Sequence, residues 1–308
     1  MATIYYNNTR NQANNKTRYT KTGGMQYTFG VELETSRGQN DTMEQETMDN
    51  NLNVLACYDG SIRGREYVTG VLKGNDGMEQ LEGICDALNN TEHEVDRRCG
   101  VHVHIGGANF NRAFGAMALR LACQIQDDIF EMLPESRRNN SYCPKIDVRT
   151  YKNTNFKNAN KKIAQFVFGR TNLDKTYNKK YHLGRYPSTR YNWMNMVRCG
   201  SASNGETLEF RCHAGSLNFE KLQNWILVCM SIVRFIENNQ SRIMKKGVTL
   251  LEILNEALPT EMRNKVFDYC NMRKVNFGFK PMRKHLYYKP QSNLCDLGRE
   301  VKTGFKNL

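Results

Sequence analysis

Cys99-Gly100-Val101-His102-Val103-His104-Ile105 is the stretch whose reading decides the fold. Val101, Val103 and Ile105 alternate with His102 and His104. Successive side chains of an extended strand point to opposite faces. The spacing therefore predicts a strand with both imidazoles on one face and three aliphatic side chains on the other. A neutral imidazole is a common metal ligand and an acid or base near neutral pH. Taken alone, the pattern also fits a plain strand with a polar, exposed side.

The chain repeats the pattern twice more. Tyr27-Thr28-Phe29-Gly30-Val31-Glu32-Leu33-Glu34 sets Phe29, Val31 and Leu33 against Gly30, Glu32 and Glu34. Thr207-Leu208-Glu209-Phe210-Arg211 sets Leu208 and Phe210 against Thr207, Glu209 and Arg211. If the apolar faces pack on one helical layer, the polar faces share one concave surface. That surface carries Glu32, Glu34, His102, His104, Glu209 and Arg211. Carboxylates with an imidazole form a hard, oxygen-rich site suited to Mg²⁺ or Mn²⁺. An arginine beside them suits a phosphate or a carboxylate.

The chain has 308 residues, 24% of them charged and 39% hydrophobic, which is a globular balance. No apolar run reaches the length of a membrane span, and the polar Met1–Gln26 stretch has no apolar signal core. A cytoplasmic location is the expectation. Ten cysteines occur without a CxxC pair, which fits reduced thiols.

The net charge of +13 excludes an indifferent surface. It points to a nucleic acid, an anionic surface or a phosphate-bearing substrate. The charge is uneven. The first acid in the chain is Glu32. Arg137 to Arg190 holds fourteen Lys and Arg against Asp147 and Asp174; Cys270 to Leu308 holds nine against Asp296 and Glu300. The reading divides the chain into a polar basic arm (1–26), a catalytic domain (27–270) with a basic insertion (137–190), and a basic extension (271–308).

Around the three strands the signals are mixed. Gln39 to Asn53 reads as a short helix or a loop. Asp59-Gly60-Ser61 reads as a turn. Arg65 to Gly70 reads as a strand with Glu66 and Val68 on one face. Asp76 with Glu79 resembles a capping box for a helix through Leu81, Ile84, Cys85 and Leu88. A helix carrying Phe114, Met117, Leu121, Ile125 and Ile129 stops at Pro134. The basic region reads as an elaborated loop with a short helix near Ile163 to Phe168. Tyr191 to Val197 is strand-like, and Ser201 to Gly205 reads as a turn. Asn218 and Thr249 each cap a helix, and a further helix spans Thr260 to Tyr269. Strict βαβ alternation is missing, so the predicted class is α+β.

Five quoted segments follow one another in a family's order. They are Phe29-Gly30-Val31-Glu32-Leu33-Glu34; Asp59-Gly60-Ser61-Ile62 with Glu66; Cys99 to His104; Arg190-Tyr191-Asn192-Trp193-Met194-Asn195; and Thr207 to Arg211. Together they resemble the amidoligase family of glutamine synthetase-like carboxylate–amine ligases, from Tyr27 to about Glu237. The resemblance implies a curved antiparallel sheet with helices behind it. It implies ATP-dependent amide formation through an acyl phosphate, with Mg²⁺ or Mn²⁺. Glu32, Glu34, His102 and Glu209 match metal-binding positions, and Glu66 matches a further metal or substrate acid. His104 and Arg190 fall to the nucleotide. Arg211 matches the arginine that steadies the transferred phosphoryl group. His104, Arg211 and Glu66 are thus the catalytic candidates. One departure stands out: the family often shows Ser-Pro after its middle acid, where this chain has Thr69-Gly70.

The residues themselves leave two other readings. Cys99, His102, His104, Cys212 and His213 supply soft ligands for a zinc hydrolase, although Cys99, Cys212 and His213 also read as structural. The basic region carries Tyr142, Tyr151, Phe156, Tyr177, Tyr181 and Tyr186, which suits nucleic-acid phosphates and bases. The same basic region also suits an acidic substrate such as a glutamate-bearing peptide or a cell-wall fragment. Tyr191 and Asn195 orient substrate or brace the sheet, and Trp193 and Trp225 read as core.

Overall fold

The structure, a computed structural model, describes residues 4–5, 26–110, 112–147, 188–197, 207–245 and 247–282. Its centre is an open, curved antiparallel sheet. In chain order the strands are β1 (Ile4–Tyr5), β2 (Thr28–Glu34), β3 (Val54–Cys57), β4 (Glu66–Thr69), β5 (Leu72–Lys73), β6 (Gly100–Gly106), β7 (Met194–Asn195) and β8 (Thr207–Ala214). Their spatial order is β1-β3-β4-β2-β6-β8-β7, and β5 extends the β4 edge along β2. The helices are α1 (Asn40–Asp49), α2 (Gly74–Asn90), α3 (Arg112–Phe130), α4 (Glu135–Arg138), α5 (Phe219–Asn238), α6 (Gln240–Ile243), α7 (Leu250–Ala257) and α8 (Thr260–Asn276). A 3₁₀ turn, Ser188–Tyr191, leads toward β7.

Period-two patterning places the core. Phe29, Val31 and Leu33 of β2, Val101, Val103 and Ile105 of β6, and Leu208 and Phe210 of β8 are all buried. They join one cluster with Leu81, Ile84 and Leu88 of α2, Leu121 and Ile125 of α3, and Leu222, Ile226 and Val233 of α5. Burial of each such side chain is worth roughly 1.5–3 kcal/mol. This layer holds one face of the sheet flat against helices and leaves the other to polar groups. Trp193 and Trp225 are core residues, as the sequence predicts.

Several local expectations hold. Asn218 accepts from the Lys221 amide at 2.9 Å and opens α5. Thr249 accepts from the Glu252 amide at 3.2 Å and opens α7. The Asp59 carboxylate accepts from the Ser61 amide at 2.6 Å and closes its turn. The stretch after Gln39 resolves to a helix, α1.

Others are corrected. Asp76 is not a cap, because α2 already starts at Gly74 and Asp76 lies in its first turn. Gly74 takes φ 61°, which only glycine adopts cheaply, and that lets β5 turn directly into the helix. Strand β3 carries no clear alternation signal in the sequence, and pairing with β4 defines it. The N-terminal arm is not wholly outside the sheet: Ile4 pairs with Ala56, and Tyr5 with Leu55. The strand expected over Tyr191–Val197 shortens to Met194–Asn195. The helix expected over Thr260–Tyr269 runs on to Asn276 as α8. Most of the basic insertion, with its helix near 163–168, and the turn at 201–205 lie outside the described residues. So does the extension beyond 282.

Candidate functional site

In an antiparallel ladder, directly paired residues share a face. The register pairs Glu32 with His102, Gly30 with His104, and Glu34 with Glu66. It pairs His104 with Glu209, and Asn195 with Glu209. Four adjacent strands and the edge strand β7 therefore turn their polar side chains to one surface. That surface faces away from the Leu33–Val103–Phe210 core.

The side chains meet there. His102 Nδ1 lies 2.6 Å from Glu32 Oε2, and His104 Nε2 lies 2.9 Å from Glu32 Oε1. His102 Nε2 is 3.6 Å from Glu34 Oε1, and His102 Nδ1 is 3.9 Å from Glu209 Oε1. Glu34 Oε2 accepts from the Gly100 amide at 2.6 Å. Glu209 is held on two sides: Asn195 Nδ2 donates to its Oε2 at 2.6 Å, and Arg211 Nη1 contacts its Oε1. Two candidate ligand groups result, Glu32–His102–Glu209 and Glu34–Glu66–His102. In each, the ligand atoms lie within 4.8 Å of one another.

The electrostatics follow from burial and crowding. Burial alone would raise the Glu32 carboxyl. Hydrogen bonds and charge from His102 and His104 overcome it and hold Glu32 well below the ordinary carboxylate range. For Glu66 the only opposing influence among the described residues is the charge of Arg211, which is the weakest of the causes. Burial, reinforced by the negative charge of Glu32, Asp59 and Glu34, pushes it up to about 8. Burial also works against the Arg211 charge, but Glu209, Glu32 and Glu34 outweigh it, and the pKa of Arg211 is raised. Crowded carboxylates with too few cations are a charge deficit that a divalent ion would remove.

The donor set fits such an ion. It offers carboxylate oxygens and one shared imidazole, which suit Mg²⁺ or Mn²⁺. No cysteine enters either group. The zinc-hydrolase reading fails on position. His213 turns into the core, where its Nε2 lies 3.0 Å from the Tyr269 hydroxyl and its ring 5.4 Å from Trp225. Cys212 is fully buried among core residues.

The reason is an irregularity in β8. The β6–β8 register runs from Val103–Phe210 to Val101–His213, so Arg211 and Cys212 both oppose His102. One extra residue flips the following side chains to the other face. Strict alternation would have left His213 beside Arg211.

Of the residues singled out from sequence, Glu32, Glu34, Glu66, His102, His104, Glu209 and Arg211 come together. Arg190 does not belong to this ladder. It lies in the 3₁₀ turn before edge strand β7, with its guanidinium 4.5 Å from the Tyr191 ring centre. Asn195 is part of the group as the residue that holds Glu209, and Arg137, read only as one of many basic residues, is buried beside β8. Of the aromatic residues of the basic region, Tyr142 is described: it is exposed and stacks edge-on with Tyr191 at 5.9 Å. Tyr151, Phe156, Tyr177, Tyr181 and Tyr186 lie outside the described residues. No described helix is long and apolar enough to cross a membrane.

The fold and site together define a protein whose open antiparallel sheet gathers carboxylates and imidazoles on one face. Residues 2–233 match the family model described as "Putative amidoligase enzyme", and the chain belongs to that family. Membership gives a ligase that joins a carboxylate to an amine. No curated protein matches the sequence.

Proposed function

We infer that this chain is an ATP-dependent carboxylate–amine ligase on a glutamine synthetase-like catalytic sheet. The observation that carries the reading is the convergence of Glu32, Glu34, Glu66, His102 and Glu209, with Arg211 at its border. In the reaction, an oxygen of the acid substrate attacks the γ-phosphorus of ATP and ADP leaves. The amine then attacks the acyl carbon and expels inorganic phosphate, leaving the amide.

Glu32, His102 and Glu209 would hold one ion, and Glu34 and Glu66, with His102, a second group of contacts. A bound Mg²⁺ or Mn²⁺ would supply neutralisation of the phosphate oxygens. The protein's own part is positioning and electrostatics. Arg211 keeps its charge at the edge of the acidic patch, where it offsets the charge of the transferring phosphoryl group. Its buried Nε has no hydrogen-bond partner among the described residues, a donor not yet spoken for. His104, tied to Glu32 and 3.3 Å from the Thr207 hydroxyl, borders the same patch and contacts the nucleotide. Arg190 would act on the nucleotide from the β7 edge. Glu66, ionised once a bound ion has displaced its proton, is the carboxylate placed to take a proton from the incoming amine. The basic region at 137–190 would recruit an acidic substrate, such as a glutamate-bearing peptide or a cell-wall fragment.

The test is a screen of carboxylate and amine pairs for phosphate release with Mg²⁺ and ATP. Release that requires both partners, and disappears in Glu32→Ala and Glu209→Ala variants that remain folded, supports the ligase. Turnover retained in those variants overturns it.

A further inference from the structure

We propose that Arg137 is a positioning residue, which keeps the β8 irregularity open and so aims Arg211 and Glu209 into the acidic hollow. The inference rests on the ligase reading for what the hollow binds, but its geometry stands apart. Arg137 comes from α4, a single short turn after Pro134, and is only 3% exposed. A guanidinium so deeply placed needs partners. Its Nη2 donates to the Arg211 carbonyl at 2.6 Å, and its Nε reaches the Cys212 carbonyl at 3.4 Å. These are the two residues that oppose His102 across the irregular register. The Arg211 amide donates to the Trp193 carbonyl at 2.8 Å while the Trp193 amide goes to Pro144, so Arg137 supplies the Arg211 carbonyl with the donor that Trp193 does not give it. Among the described residues, no carboxylate lies within 4.0 Å of Arg137, so it neutralises no acid there.

Space for the guanidinium is made by Gly100. A Cβ on that residue would stand 2.9 Å from Arg137 Nη2. Gly100 shares its face with His102 and gives its amide to Glu34. The guanidinium therefore lies at the rim of the acidic patch, bonded to β8 backbone and filling the space that the missing Gly100 side chain leaves on β6. Through the Arg211 carbonyl it fixes the turn of backbone from which the Arg211 side chain reaches Glu209. Through the Cys212 carbonyl it fixes the point after which His213 turns inward. Planar, forked donors suit two carbonyls on successive residues; an ammonium group serves them poorly.

The experiment uses full-length protein and the variants Arg137→Lys, Arg137→Ala, Arg211→Ala and the Arg137→Ala/Arg211→Ala pair. Amide hydrogen exchange over 210–214 reads the irregularity without any ligand. It should quicken about tenfold or more in Arg137→Ala, part-way in Arg137→Lys, and slow again on adding guanidinium ion. Unchanged exchange in both single Arg137 variants overturns the proposal, and Arg137→Lys keeps the test open if Arg137→Ala does not fold. Mg²⁺-ATP affinity by calorimetry reads the coupling. Arg137→Ala should lose about tenfold, and the double variant should match Arg211→Ala within about twofold, because one residue acts through the other. Losses that multiply would overturn the coupling. Absence of Mg²⁺-ATP binding by the wild-type protein would instead sink the ligase reading, while the exchange result would still decide the role of Arg137.

Discussion

Glu32 and His102 stand directly opposite each other on β2 and β6, with Oε2 and Nδ1 2.6 Å apart. Glu32 shares its other oxygen with His104. One carboxylate thus orients two imidazoles and keeps its own negative charge. Glu32→Gln removes the charge and leaves the shape. Mn²⁺ affinity, read by electron paramagnetic resonance, should fall by at least about tenfold. A variant that binds Mn²⁺ as tightly as wild type would remove Glu32 from the ligand set.

Asn195 is the next lever, because it touches Glu209 from the edge strand. Asn195→Ala should weaken Mn²⁺ binding about tenfold with little loss of stability. Asn195→Asp should be worse, since it sets a second negative charge against the first. The order wild type, alanine, aspartate in the same titration is the check. An aspartate variant that outperforms alanine would show that Asn195 does not orient Glu209.

The pH behaviour of Glu66 has a definite sign. Its folded pKa of about 8 lies above its ordinary value of 4.5, through burial and then the charge of Glu32, Asp59 and Glu34. The folded metal-free protein therefore binds a proton that the unfolded chain has lost. Stability from this group is intact below about pH 4.5 and declines as pH rises toward 8. Glu66→Gln should gain about 1 kcal/mol or more over wild type between pH 5 and pH 9. Urea denaturation of both proteins at the two pH values measures it. Glu32 has the opposite sign: its depressed pKa adds stability at neutral pH that is lost as the solution is acidified through the folded value.

Metal binding should also expel that proton. Calorimetric Mn²⁺ titrations near pH 7 in buffers of differing ionisation enthalpy should report close to one proton released by wild type and clearly less by Glu66→Gln. Equal release by the two proteins would place Glu66 outside the bound shell.

His213 should matter to the fold and not to the metal. Its replacement by alanine opens a cavity beside Trp225 and leaves the Tyr269 hydroxyl without that partner. The expected loss is about 2–4 kcal/mol of stability, seen as a lower urea midpoint. Mn²⁺ stoichiometry in the folded variant should be unchanged. A loss of bound metal at full stability would revive a ligand role for His213.

Much of this site can be read from residue spacing alone. Period-two alternation is a local signal, and it picks out Glu32, His102 and Glu209 because they sit between apolar neighbours, with Glu34 continuing the same face two residues on from Glu32. Spacing puts Glu66 and Val68 on one face of a strand, whose Tyr67 and Thr69 turn inward, but only the family resemblance adds Glu66 to the site. What escapes is whatever depends on partners distant in sequence. The extra residue at Arg211–Cys212 is set by pairing with β6, over a hundred residues away. Arg137 looks like the first of many solvated cations until its carbonyl partners are known. Asn195 is one polar residue in a short edge strand, and only its register reveals Glu209 opposite. Strand β3 mixes buried and part-buried positions too weakly to announce itself.

The acids and imidazoles of the hollow come from positions 32, 34, 66, 102, 104 and 209, and β6 sits between β2 and β8. No local segment can assemble that group. Until the ribbon ending at Ala214 has left the ribosome, the growing polypeptide lacks the last carboxylate and its arginine. Assembly of the hollow is therefore a late event in biogenesis, delayed by the slow closure of long-range pairings, and on the proposed function ion loading would follow it.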